Sequence, residues 1–176
     1  MSAHGEITAW LGRQLKEESL LRSYSVYYDH GVAGEKGVCE ISSVIGSDLR
    51  RENKISEIDI AILDRSERVI FLIEIEESED NPKKLVVDVI TTLLGDKIFI
   101  NGIEKKQIGD WTTLIVFSKK TEGYHEKRIG DLEKRIGQLI SNGETNGLKI
   151  KNIQLALFED KEKLKDQVIQ LIFPNK

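Results

Sequence analysis

The chain has 176 residues, 39% of them apolar and 32% charged, with a net charge of −4. That length and apolar share suffice for one domain with a real core, 1–176, and exclude a disordered chain; the acidic balance argues against a nucleic-acid coat protein but not against an enzyme whose own acids carry the charge. A lone cysteine, Cys39, excludes an internal disulfide, and no apolar run nears the roughly 18 residues of a membrane span, so a cytoplasmic protein is expected.

Glu6 to Leu21 places Ile7, Trp10, Leu11, Leu15 and Leu20 near one face of a helix that packs on a sheet. Ser25 to Tyr28 is a short β-prone run. The stretch from His30 to Gly37 reads as a loop, and it matches no phosphate-loop pattern because Lys36 is not followed by Ser or Thr. Val38 to Ile45 returns as a strand. Gly46 to Lys54 is polar and carries Arg50, Arg51 and Lys54, three cations just ahead of the most informative segment.

That segment is Ile58 to Glu76. Ile58, Ile60 and Ile62 alternate with Asp59, Ala61 and Leu63, and Phe71, Ile73 and Ile75 alternate with Leu72, Glu74 and Glu76, which is the period of two strands. A turn centred on Ser66 and Glu67 puts Asp59 opposite Glu74, with Glu76 diagonal to both. Like charges facing across a strand pair are destabilising, so three converging carboxylates call for a cation. Mg²⁺ takes one or two carboxylates with waters and substrate phosphates, which makes a metal site the main reading. The alternative is a solvated outer strand kept soluble by its acids.

Asn81 and Pro82 suit an N-cap and first helical position. The helix that follows buries Leu85, Val86, Val89, Ile90 and Leu93, turns Lys83, Lys84, Asp88 and Thr91 or Thr92 elsewhere, and ends at Gly95. Trp111 to Phe117 reads as a central strand buried on both faces, with Trp111 in the core. Tyr124 to Ser141 is helical with Ile129, Leu132, Ile136 and Leu139 at heptad spacing, and Gly130 and Gly137 allow a close neighbour. Ile153 to Phe158 is a strand, and Asp160 caps a closing helix with Leu164, Val168, Ile169 and Ile172 inward. The order predicts an α/β fold, a central mixed sheet flanked by helices. His4, His30 and His125 show no metal-ligand spacing and read as surface or core residues.

An opening helix, a hairpin bearing acids, a helix after them and further strands and helices resemble the PD-(D/E)XK nuclease superfamily, the restriction endonuclease-like fold. Ile58-Asp59 stands for its first element and Glu74-Ile75-Glu76 for its second, with Glu76 where the family's Lys is usual; some restriction enzymes are similar in having Glu there. The resemblance implies a metal-dependent DNA endonuclease of restriction, defence or repair type. Asp59, Glu74 and the Ile75 carbonyl would hold Mg²⁺ or Mn²⁺. Glu76 would act as base or hold a second ion, and Lys84, or Lys83, would replace the motif Lys; Lys84 lies four residues before Asp88 and so shares its helix face. Glu6, Glu17 and Glu18 are candidates for an opening-helix acid. Arg50, Arg51 and Lys54 would hold DNA phosphates, and the enzyme would work as a homodimer or beside a partner subunit. The competing reading is a nuclease-like subunit that does not cut and binds nucleic acid or a protein partner.

Overall fold

A computed structural model of the chain describes residues 5–32, 34–77, 82–120, 126–141 and 147–174. In chain order they form α1 (Glu6–Glu17), a 3-10 turn (Ser19–Leu21), β1 (Ser25–Tyr28), β2 (Ile41–Val44), β3 (Lys54–Glu57), β4 (Ile60–Leu63), β5 (Val69–Glu76), α2 (Pro82–Leu93), β6 (Lys97–Ile100), β7 (Glu104–Gln107), β8 (Thr113–Lys119), α3 (Glu126–Ser141), β9 (Asn152–Phe158) and α4 (Lys161–Ile172). The fold is α/β with a mixed central sheet, ordered β1-β4-β5-β8-β9. Its first three strands are antiparallel neighbours; β5, β8 and β9 run parallel, joined by crossovers that contain α2 and α3.

Alternation sorts side chains onto two faces of this sheet. Ile60, Ile62, Ile73, Ile75, Ile115 and Phe117 meet Leu11 and Leu15 of α1 and Leu164 and Val168 of α4. On the other face, Ala61, Leu72, Leu114 and Val116 meet Leu85, Val89 and Leu93 of α2 and Ile129, Ile136 and Ile140 of α3. Glu74 and Glu76 share the register of Leu72 and so lie on the α2 side. β5 is an inner strand, which rules out the solvated outer strand. Asp160 caps α4 as its residue type suggests, its carboxylate accepting the Lys163 N–H at 2.8 Å. Asn81 lies outside the described residues.

A second sheet, β3-β2-β6-β7, is antiparallel throughout and shares the α2-side core through Ile41, Ile98 and Ile100. Periodicity did not anticipate it, since each of its strands has only four residues and three of them carry Lys. Buried Lys106 of β7 meets Glu67 of the β4–β5 turn at 2.8 Å, linking the two sheets.

Strand edges are covered in several ways. On β9, Glu133 of α3 accepts the Leu155 N–H at 3.1 Å and Gln167 of α4 donates to the Leu157 carbonyl at 3.1 Å. Beside β1, the Tyr28 N–H reaches the Gly37 carbonyl and the Tyr28 carbonyl accepts from Cys39. Lys54 on β3 and Lys105 and Lys106 on β7 place charge on the outer strands of the second sheet.

Several local expectations change. The β4–β5 turn is built by Asp64, whose carboxylate accepts from Ser66 and Arg68 N–H, with Glu67 at φ 60; Leu63 then pairs with Val69, and a bulge restores Ile62 opposite Phe71. Trp111 precedes β8 and is 42% exposed, under the Arg68 guanidinium at 5.8 Å, rather than in the core. Val86 and Ile90 are exposed because the buried stripe of α2 runs through Leu85, Val89 and Leu93 with Thr92 beside it. In α3 the 3.6-residue period carries burial to Ile140 and leaves Leu139 exposed. Gly130 and Gly137 have open space around them, and no neighbour packs closely against either. Among the described residues no helix is long and apolar enough to cross a membrane.

Gly95 is required for a different reason from helix termination by left-handed backbone. A Cβ there would stand 2.2 Å from Ser43 Oγ on β2, which brings the end of α2 against the second sheet. Gly95→Ala is expected to destabilise the chain by about 1–3 kcal/mol in urea unfolding. Most of that loss should return in a Ser43→Ala background, where the colliding oxygen is gone.

Candidate functional site

β4 begins at Ile60, so Asp59 sits one residue ahead of the ladder instead of forming a strand pair with Glu74. The two still converge. The Asp59 N–H points to Glu74 Oε2 at 3.4 Å, and Asp59 Oδ2 accepts the Ile75 N–H at 2.7 Å. Its backbone carbonyl accepts the Asp29 N–H at 2.9 Å, which ties the segment after β1 to the same point. Asp59 keeps some exposure, while Glu74 and Glu76 lie beneath at 6% and 1%.

α2 lies across these acids. Thr92 donates its hydroxyl to Glu74 Oε1 at 2.7 Å, and the Lys84 ammonium stands 2.8 Å from Glu76 Oε2. Lys84, not the exposed Lys83, is therefore the helix cation at the site. Asp88, one turn on from Lys84, faces Glu76 and Glu74 electrostatically. The sequence places Asp88 on the Lys84 face of the helix without assigning it to the site, although the same spacing implies it. Periodicity does not separate the faces of Thr91 and Thr92, and Thr8 of α1, which hydrogen-bonds Asp59, carries no sequence signal of that role.

Titration reflects this crowding. Burial pushes the Asp59 carboxyl up to about 6, against hydrogen bonds from Ile75 and Thr8 and the pull of nearby His30. Burial, then the Asp59 and Asp88 charges, raise Glu74 well above the usual carboxylate range despite the Thr92 hydroxyl. Asp88 rises to about 6 through burial and the Glu76 charge, with Lys84 opposing. Burial alone would lower Lys84; its contact with Glu76 and the charges of Asp88 and Asp59 outweigh that and raise it.

Other residues are not brought to the cluster. Glu17 lies at the far end of α1, and Glu18 caps the 3-10 turn and meets Lys165; Glu6 is exposed at the helix start. At the start of α1 the acid in contact is Glu77, whose Oε1 accepts from Ile7 and Thr8 N–H at 3.2 and 3.4 Å. Arg50 pairs with Asp48, Arg51 is exposed, and Lys54 is held between Glu40 and Glu57. Because Lys54 opens β3, the three further residues of that strand separate it from Ile58 and Asp59, roughly 15 Å of extended chain. His30 takes φ 61 beside the Asp29–Asp59 contact; His4 and His125 lie outside the described residues.

Asp59 and Glu74 are the two side chains that could hold a divalent cation: their carboxylates are crowded together, and Asp59 keeps some exposure. The Ile75 N–H is turned toward Asp59, and in a strand the carbonyl of the same residue turns the same way. Among the described residues no group of three His, Cys, Asp or Glu side chains is placed to hold a metal ion by itself. No family model, no curated protein and no solved structure matches this chain.

Between pH 3.8 and about 6 the folded Asp59 retains a proton that the unfolded chain has released. The stability this lends is present below 3.8 and lost as pH rises through about 6. Without added metal, the Tm of Asp59→Asn relative to wild type should therefore climb as pH is raised from about 4 to about 7. A difference that stays flat or falls over that range would contradict the burial of an ionisable Asp59.

Proposed function

We propose that the chain is a metal-dependent endonuclease of the PD-(D/E)XK kind that hydrolyses phosphodiester bonds of DNA. The observation that carries this reading is the convergence of Asp59, Glu74 and Glu76 with an ammonium, Lys84, delivered from the following helix. Asp59, Glu74 and the Ile75 carbonyl are the ligands for Mg²⁺ or Mn²⁺. Such an ion, when bound, lowers the pKa of coordinated water and neutralises charge at the phosphate.

The protein groups divide the remaining work. Thr92 and the Asp59 N–H fix the Glu74 carboxylate, so its orientation exists before substrate arrives. The Ile75 N–H does the same for Asp59. Buried Glu76 holds the partly exposed Lys84 over the site, where the ammonium offsets the negative charge of Asp88 and Asp59 and favours an incoming phosphate. Arg50 and Arg51, exposed beyond β3, suit sequence-independent contacts to phosphates away from the scissile bond.

One observation favours a second reading, a nuclease-like subunit that binds nucleic acid or a protein partner without cutting. Lys84 is engaged by Glu76, in the position where the family's Lys would itself face the water.

Supercoiled plasmid incubated with Mg²⁺, Mn²⁺ or EDTA tests both. Nicking that needs the metal and disappears in Asp59→Ala and Glu74→Ala is the expected outcome, with Lys84→Met reduced about 10²-fold. DNA binding by a wild type that never cuts would instead support the subunit.

A further inference from the structure

The outer side of α2 is apolar and uncovered. Val86, Val87, Ile90 and Leu94 are 37%, 55%, 41% and 49% exposed. Val87, Ile90 and Leu94 follow helical i, i+3, i+7 spacing and so form one stripe. The Gly46 N–H binds Asp96 Oδ2 at 2.8 Å, which brings the segment after β2, with Ile45 46% exposed, to the end of α2. Isolated surface hydrophobes are ordinary, but a continuous row on one helix marks an interaction surface.

We propose that this row is where the chain pairs with a second copy of itself, the two α2 helices lying antiparallel across a two-fold axis so that Val87 of each faces Ile90 of the other. Charge selects this occupant and this direction. Lys83 is exposed at one end of the stripe and Asp96 stands past the other, so antiparallel pairing brings each Lys83 toward the opposite copy's Asp96, whereas parallel pairing sets Lys83 against Lys83. The antiparallel arrangement also opposes the two helix dipoles. A single patch used twice is the geometry of a closed dimer.

The stripe runs about 17 Å from Lys83 to Leu94, which makes the contact small and the dimer reversible. The inner side of α2 carries Lys84, Asp88 and Thr92, so one helix would join the two copies and roof both carboxylate sites. The pairing itself stands whether or not the chain cuts nucleic acid.

Sedimentation velocity over a concentration series tests it. Wild type is expected to interconvert between monomer and dimer, and Val87→Asp with Ile90→Asp to raise the dissociation constant about tenfold or more at unchanged Tm, since both positions are solvent-facing. Lys83→Glu and Asp96→Lys should each weaken the dimer a few-fold, and an equimolar mixture of the two should recover it, because both cross-contacts then pair opposite charges. A wild type that stays monomeric throughout, or stripe variants that associate as wild type does, would overturn the assignment. Failure of the mixture to recover, with both variants keeping the wild-type Tm, would overturn the antiparallel pairing.

Discussion

A carboxyl group buried in a low-dielectric interior needs a partner, and β5 carries two such groups, Glu74 and Glu76, on the side sealed by α2. Much of the architecture around them answers that need. α2 supplies a hydroxyl and an ammonium, the entry to β4 supplies a backbone N–H, and α1 sends Thr8 to the Asp59 that adjoins them. Elements distant in sequence are therefore registered against one another by polar contacts of fixed geometry, in addition to apolar packing, which tolerates sliding. Removing one partner would leave a buried charge unmatched, and that asymmetry makes the cluster a strong specifier of one arrangement.

The same polarity explains what could be read in advance. Strict alternation over Phe71 to Glu76 puts Glu74 and Glu76 on one face without any knowledge of the fold, and the i, i+4 relation of Lys84 and Asp88 puts both on one side of a helix. Hidden from the sequence were the features set by short or irregular backbone. Lys54–Glu57 is a strand because Ile41–Val44 lies beside it, not because its own residues favour one. That pairing leaves the basic loop in place but sets it at the far end of a strand, which carries Arg50 and Arg51 away from Asp59. Helix faces were legible to within one residue per turn, which suffices for Leu85 and Val89 but misassigns Val86 and Ile90.

α2 illustrates how a helix of 12 residues serves several neighbours at once. Its apolar seam contacts the sheet, its Lys84–Asp88–Thr92 flank meets the acids, and its end closes on Ser43 through Gly95. Lys106 adds a separate tie, a buried ammonium between Glu67 and Glu104 that holds the edge of the second sheet to the hairpin turn of the first. Motion of either sheet against the other is opposed at two places far apart along the chain.

The covered edge of β9 bears on the fate of many copies at high concentration. Glu133 and Gln167 take the Leu155 N–H and Leu157 carbonyl that an added strand would use, and lysines stand on β3 and β7. A fibril grows by templating strand upon strand, and this chain in its native state offers a poor template. Ordered growth of that kind would have to begin from a form in which α3 or α4 had first lifted away.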